Sequence, residues 1–236
     1  MIFAVVNQKG GAGKSTLAVH LALHLHDKGH SVALVDNDPQ QSASRWTSRA
    51  EPGITVRSPL DARELVTTLQ ELDEEHDVVV CDAAPRLNEQ THVLMYFADQ
   101  VLIPTRPTTL DLQATVETKQ AIDKVAAARQ QDGRDGIDVR LLLNFVRTVG
   151  NLHTTVREAL RAMDYPLAQT VIGMRDAVAK AVTLQTSVER MSDDDPSDKG
   201  AKAAARDFRD AFAEILPDSL QTQTNSHDHA DLLVAA

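Results

Sequence analysis

Short apolar runs and longer amphipathic stretches alternate along the chain from its first residues. Residues 2–6 form an unbroken apolar run, too short for a helix, which predicts a strand buried on both faces. Residues 14–28 then carry apolar side chains at helical spacing and stop at Gly29. The alternation continues with predicted strands at 31–35, 77–82, 100–104, 137–146 and 168–172, and a short extended stretch at 54–57. Between them the pattern predicts helices at 61–75, 89–97, 110–129, 151–163 and 201–215. Residues 42–50 read only as a polar segment, 130–136 as a loop, and 192–198 as an acidic loop. Repeated strand–helix units predict an α/β, doubly wound, mainly parallel sheet with helices on both faces. A ligand then belongs at the carboxyl ends of the strands.

The chemistry-bearing residues fall at those ends. Behind the first strand stands Asn-Gln-Lys-Gly-Gly-Ala-Gly-Lys-Ser-Thr, residues 7–16. Gly10, Gly11 and Gly13, with Ala12 between them, allow a tight turn whose N–H groups point at an anion, and the following helix adds its positive end. Lys14 supplies charge for the β- and γ-phosphates and Ser15 a hydroxyl for Mg²⁺. The usual G-x-x-x-x-G-K-[ST] pattern is not met, since Gln8 stands at its first glycine and a second lysine, Lys9, precedes the glycines. The second predicted strand ends in Asp36-Asn-Asp38-Pro-Gln, and the third in Asp82-Ala-Ala-Pro. Carboxylates at strand ends beside a phosphate loop are placed to hold Mg²⁺ or an attacking water.

Lys-Gly-Gly-Ala-Gly-Lys-Ser-Thr resembles the deviant Walker A box of the ParA/MinD ATPases, a P-loop NTPase class, and the Asp-x-Asp-Pro-Gln segment is similar to switch I of its ParA members. Length and the residues up to Trp46 look like the short, ParF-like partition ATPases, as does Pro104-Thr-Arg-Pro-Thr-Thr-Leu-Asp111-Leu. The resemblance implies ATP and Mg²⁺ as cofactors and a homodimer in the ATP state, with Lys9 reaching the partner subunit's ATP. It implies that Asp38 orients the hydrolytic water and that Ser15, Asp36 and Asp82 serve the metal. Thr16 is expected near the α-phosphate, Asn144 against the adenine, and Arg175 near the nucleotide and the DNA face. Asp111 would restrain Lys9, bridge the dimer, or simply open a helix. Family members commonly carry a threonine after the Walker B acid where this chain has Ala83.

The same resemblance implies non-specific DNA as a ligand and a ParB-like adaptor that stimulates hydrolysis, with plasmid or chromosome DNA as cargo. A protein cargo such as a carboxysome or a chemoreceptor cluster is the alternative, as is a nucleotide-gated regulator with negligible turnover. An ATP-dependent ligase of the dethiobiotin-synthetase type fits the Asp-Pro-Gln segment poorly.

Composition narrows the setting. The chain has 236 residues and 42% hydrophobic content, enough for one domain, expected over 1–216 with a polar, disordered tail at 217–236. Cys81 is the single cysteine, which excludes an internal disulfide and the paired cluster ligands of a nitrogenase-reductase-like carrier. Net charge is −10, yet residues 139–190 carry seven basic and four acidic side chains. Arg147, Arg157, Arg161, Lys180 and Arg190 are therefore the candidate DNA contacts. With a strand beginning at Ile2, no signal peptide and no helix-turn-helix extension are expected, and the setting is cytoplasmic and nucleoid-associated. The tail lacks Lys and Arg after Arg209, so no membrane partner is expected. His20 and His24 have the i,i+4 spacing of metal ligands but no third partner, and are expected to be structural, as are His227 and His229.

Replacing Lys14 with Ala is expected to abolish nucleotide binding, measured by titration with a fluorescent ATP analogue; retained affinity would contradict the phosphate-loop reading.

Overall fold

A computed structural model of the chain describes residues 1–147 and 152–221. Its centre is a seven-stranded, all-parallel sheet in the order β3-β2-β4-β1-β5-β6-β7. The strands are β1 (Ile2–Val5), β2 (Val32–Asp36), β3 (Thr55–Arg57), β4 (Val78–Asp82), β5 (Gln100–Thr105), β6 (Asp138–Val146) and β7 (Leu167–Gly173). The expected α/β doubly wound parallel sheet is thus present. Successive strand side chains alternate between two cores, as the pleat requires. Phe3, Val5, Leu34 and Val80 face one; Ala4, Val6, Val35 and Cys81 face the other.

The first core is covered by α1 (Lys14–Asp27), α2 (Ser42–Ala50), α7 (Asp176–Leu184), α8 (Val188–Asp194) and α9 (Lys199–Ile215). The second is covered by α3 (Ala62–Glu75), α4 (Glu89–Phe97), α5 (Thr109–Gln131) and α6 (Leu152–Arg161). Helix starts follow their caps: Asp61, Asn88, Thr108, Ser187 and Asp198 each accept backbone N–H bonds from the first turn.

Three stretches differ from the sequence pattern. Residues 42–50 are helical because Ala43, Trp46 and Thr47 recur at helical spacing and bury one stripe, which the surrounding serines and arginines obscure. The acidic run expected to be a loop begins inside α8, whose Val188 and Met191 are buried. Residues 218–220 form a short 3₁₀ turn with Leu220 buried, and Lys28 donates to the Gln221 carbonyl at 2.8 Å. The tail expectation for residues 222–236, including His227 and His229, lies outside the described residues.

His20 shows why the two α1 histidines are structural. Its Nε2 accepts the Val188 N–H at 3.2 Å, so Nδ1 carries the proton and donates to the Thr16 carbonyl at 2.8 Å. The ring stacks on Phe208 with centroids 4.2 Å apart and meets Trp46 edge-on. His24 instead pairs with Glu189 at 3.0 Å. Full burial lowers the His20 pKa to about 4. Between pH 6.5 and 4 the unfolded chain therefore binds a proton that the folded chain refuses, and stability falls as pH falls. That loss, about 3 kcal/mol at most, should appear in urea unfolding between those values and shrink in His20→Gln; an unchanged pH slope would contradict it.

Candidate functional site

Because β4, β1 and β2 are neighbours, three loops meet at one edge of the sheet. Val5 pairs with Asp82 and Asp36 with Asp82 in register, so the residue before the glycine-rich loop and both strand-end acids stand side by side. The loop itself is pinned from two sides. Asn7 Nδ2 donates to the Pro104 carbonyl at 2.9 Å and its Oδ1 accepts the Lys9 N–H at 2.9 Å. On the other flank Asn144 Nδ2 donates to the Ala12 carbonyl at 2.9 Å. Gly13 has φ +92, and a Cβ there would lie 2.2 Å from Asn144 Nδ2 and 2.8 Å from Phe145 Cε2, so only glycine fits.

The result is a cleft of about 230 Å³ lined by Gly10, Gly11, Gly13, Lys14, Ser15, Thr16, Asp38, Pro85 and Phe145. Lys14 is buried and donates to the Lys9 carbonyl at 3.4 Å, so its ammonium points toward the Lys9 end of the loop. Lys9 is half-buried, while Gly10 and Gly11 are exposed. Burial lowers the Lys14 pKa, opposed by Asp82 and Asp38. Asp82 is fully buried, and neither of its oxygens has a hydrogen-bond partner. Burial pushes its pKa up to about 7, opposed by the nearby Ser15 hydroxyl and reinforced by the Asp36 carboxylate.

Asp36 behaves differently. Its Oδ1 accepts the Asp38 N–H at 3.0 Å and its Oδ2 the Ser44 N–H at 2.8 Å, which ties the Asp-Asn-Asp-Pro-Gln loop to the start of α2. Burial raises its pKa despite these bonds. Asp36 thus shapes the loop, and Asp82 keeps its oxygens free. Asp38 is half-buried at the cleft wall, its Oδ1 accepting the Gln40 N–H at 2.9 Å.

Two buried oxygens without partners, beside a serine hydroxyl and a lysine, fit a water-clad Mg²⁺ carried on phosphates. Among the described residues no cluster of three His, Cys, Asp or Glu side chains could hold a metal unaided. The ion therefore fits this site together with a nucleotide rather than alone.

Other expected positions shift. Asn144 is buried against the Ala12 carbonyl, and its Oδ1 accepts the Phe145 N–H at 3.0 Å, so it braces the loop rather than facing a base. Phe145, held at φ +53, is the side chain of that pair that lines the cleft. Arg175 is engaged bidentately by Asp207 at 2.7 and 3.1 Å and lines a separate cavity with Arg147 and Arg157. Asp111 pairs with Arg106 at 3.0 Å rather than with Lys9. Arg190 is spent on Asp27 and Glu51, and Arg157 on the Ala168 and Gln169 carbonyls. Arg147 and Arg161 are exposed, as is Lys180, which lies 3.5 Å from Asp198. Pattern reading gave no site role to Arg106 or Phe145, whose only signals were the Pro104–Asp111 segment and adjacency to Asn144.

A strand-end glycine loop with a buried lysine, under a parallel sheet edge carrying two acids, defines a P-loop nucleotide-binding protein. The family model described as the CobQ/CobB/MinD/ParA nucleotide binding domain matches residues 3–188, and the chain belongs to that family. The expected kinship with the ParA/MinD ATPases is thereby met, and with it nucleotide binding.

Among relatives, maintenance of carboxysome distribution protein A of Halothiobacillus neapolitanus is 28% identical over 218 residues, covering 91% of this chain and 95% of that protein. Protein ParA of Rhizobium radiobacter is 36% identical over 135 residues, covering 53% of this chain and 61% of that one. Among solved structures, an ATP complex of a Cyanothece McdA variant superposes with a TM-score of 0.70 at 14% identity, covering 90% of this chain and 95% of that one. The Mg-ADP complex of the septum site-determining protein MinD from Pyrococcus horikoshii gives 0.65 at 18% identity, covering 88% and 93%.

If Asn144 braces the loop, Asn144→Ala should weaken ATP and GTP alike, each by about 1–2 kcal/mol in calorimetric titration. A loss confined to ATP would restore the adenine contact.

Proposed function

We propose that the chain, with residues 1–216 as one ATPase domain, is a Mg²⁺-dependent ATP switch that positions cargo. The observation that carries this is the pairing of Lys9 with Lys14 on one loop, above the unpartnered Asp82 carboxylate. Gly10, Gly11, Ala12 and Gly13 would present backbone N–H groups to the phosphates, Lys14 would hold the β–γ end, and Ser15 and Thr16 the helix-side phosphates. Ser15 and Asp82 would hold Mg²⁺, the carboxylate through water, with Asp36 fixing the loop that carries Asp38. Bound there, Mg²⁺ would neutralise charge on the phosphate oxygens. Asp38, at the cleft wall, would orient the water that attacks the terminal phosphate.

Lys9 is half-buried at the open rim beside the exposed Gly10 and Gly11, which suits a cation offered to a second copy. ATP would therefore gate a homodimer. The dimer would double the exposed cations Arg147, Arg161 and Lys180 and hold non-specific DNA through phosphates. Hydrolysis, stimulated by a ParB-like adaptor, would release it, and the protein would act in the cytoplasm on the nucleoid. Among the described residues no helix is long and apolar enough to cross a membrane.

A protein cargo is the second reading. What favours it is that the carboxysome-distribution relative aligns along 95% of its length, whereas the ParA relative aligns along 61%.

Asp38→Ala, given ATP and Mg²⁺, is expected to accumulate as a dimer that retains DNA and releases phosphate at least tenfold more slowly. Sedimentation and phosphate release test this; ordinary turnover would remove the role of Asp38, and a wild type that stays monomeric with a non-hydrolysable analogue would end the switch reading. Its DNA affinity should fall steeply between 50 and 200 mM salt.

A further inference from the structure

Arg106 stands at the rim of the phosphate loop with its orientation fixed and part of its hydrogen-bonding capacity unspent. β5 lies next to β1, so the residue after Thr105 emerges beside the loop that follows β1. The Arg106 guanidinium grips Asp111 through Nε at 3.0 Å and Nη2 at 3.2 Å. Asp111 is 1% exposed in the first turn of α5, and Thr108 Oγ1 donates to the same carboxylate. Both carboxylate oxygens are therefore committed, and the planar fork of the arginine cannot swing away without leaving a buried charge alone.

The remaining nitrogen, Nη1, makes no hydrogen bond among the described residues. It lies 3.7 Å from the position a Cβ would take on Gly11, whose φ is +74. With a glycine there, no side chain screens the guanidinium from the loop. A helix-capping salt bridge would satisfy Asp111 equally well with the arginine turned outward. It would not require the free N–H pair to face the glycines.

The direction of Lys14 says which part of a nucleotide would lie there. Its ammonium reaches for the Lys9 carbonyl, and Lys14 is the group that meets the β- and γ-phosphates, so the terminal phosphate belongs at the Lys9–Gly11 end. Arg106 is at that end, while Asn144 and Phe145 flank Gly13 on the other. Arg106 is about one-third exposed, so it is open to solvent at the rim of the cleft.

We infer that Arg106 is a nucleotide-binding residue that recognises the terminal phosphate when two copies close over their triphosphates, and that Asp111 is its positioning residue. This rests on the dimer reading above. Locking the fork in advance removes most of the side-chain entropy that such a contact would otherwise cost. It gives each site a third cation, after Lys14 and Lys9, at the point where two like-charged ligands must approach each other.

The test compares wild type, Arg106→Gln, Arg106→Lys and Asp111→Asn. Each is titrated calorimetrically with Mg-AMPPNP and Mg-ADP, with dimerisation followed by sedimentation. Arg106→Gln should lose at least tenfold in AMPPNP affinity and in dimer formation, with ADP affinity within about twofold of wild type. Arg106→Lys should fall between the two, because a point charge keeps the attraction without the fork. Asp111→Asn should narrow the AMPPNP/ADP ratio as Arg106→Gln does. A parallel fall for both nucleotides overturns the inference, since bracing of the loop would produce it. So does a wild-type AMPPNP/ADP ratio in Arg106→Gln from a wild type that dimerises. A wild type that stays monomeric with AMPPNP overturns the dimer reading itself and the role of Arg106 with it.

Discussion

The carboxylate of Asp82 is held out of water, without a hydrogen-bond partner, yet near enough to the buried Lys14 ammonium to feel its charge. A buried charge of that kind costs several kcal/mol unless something neutralises it. The two groups answer by shifting toward neutrality: the Lys14 pKa falls and the Asp82 pKa rises. The site is thus built for a visitor that carries both an anion for the lysine and a cation for the acid. A magnesium nucleotide is such a visitor, and the rest of the architecture serves to keep these two side chains apart and dry.

That separation depends on the parallel sheet. Only parallel strands put three C-terminal ends in one row, and only the order β2-β4-β1-β5 brings the Asp36 loop, Asp82, the glycine loop and Arg106 together. The glycine loop is then braced by side chains from both its flanks. Asn7 ties it to β5, and Asn144 ties it to β6. The brace from β6 leaves Phe145 in a left-handed conformation, strained by about 1–3 kcal/mol, with its ring against Gly13. Such strain persists where the surroundings over-determine a residue, and here they do.

Much of this was legible in the chain itself. The apolar runs at the β1, β2 and β4 positions end directly on the glycine loop and on the two acids, so periodicity and chemistry pointed to the same edge. Helix α2 was not legible, since one stripe of Ala43, Trp46 and Thr47 is diluted among serines and arginines. The pattern assigns no element to residues 176–191, because α7 and α8 are short and their apolar residues do not repeat far enough to set a period. At the site, the partners of Asn144, Arg175 and Asp111 could not be read from sequence. Asn144 and Arg175 are engaged by residues distant in the chain, Ala12 and Asp207, and Asp111 by an arginine five residues earlier that follows a strand end rather than sharing its helix.

Trp46 adds one consequence. It lies in the helix that begins where the Asp36–Gln40 loop ends, and its indole N–H donates to the Thr186 carbonyl at 3.1 Å in the turn between α7 and α8. His20, one turn beyond Thr16, touches the same ring edge-on. As the sole tryptophan of the chain, it couples the acid-bearing loop to the far turn and reports on both. Its emission spectrum is a native optical gauge of the packing around that bond, read without an attached dye.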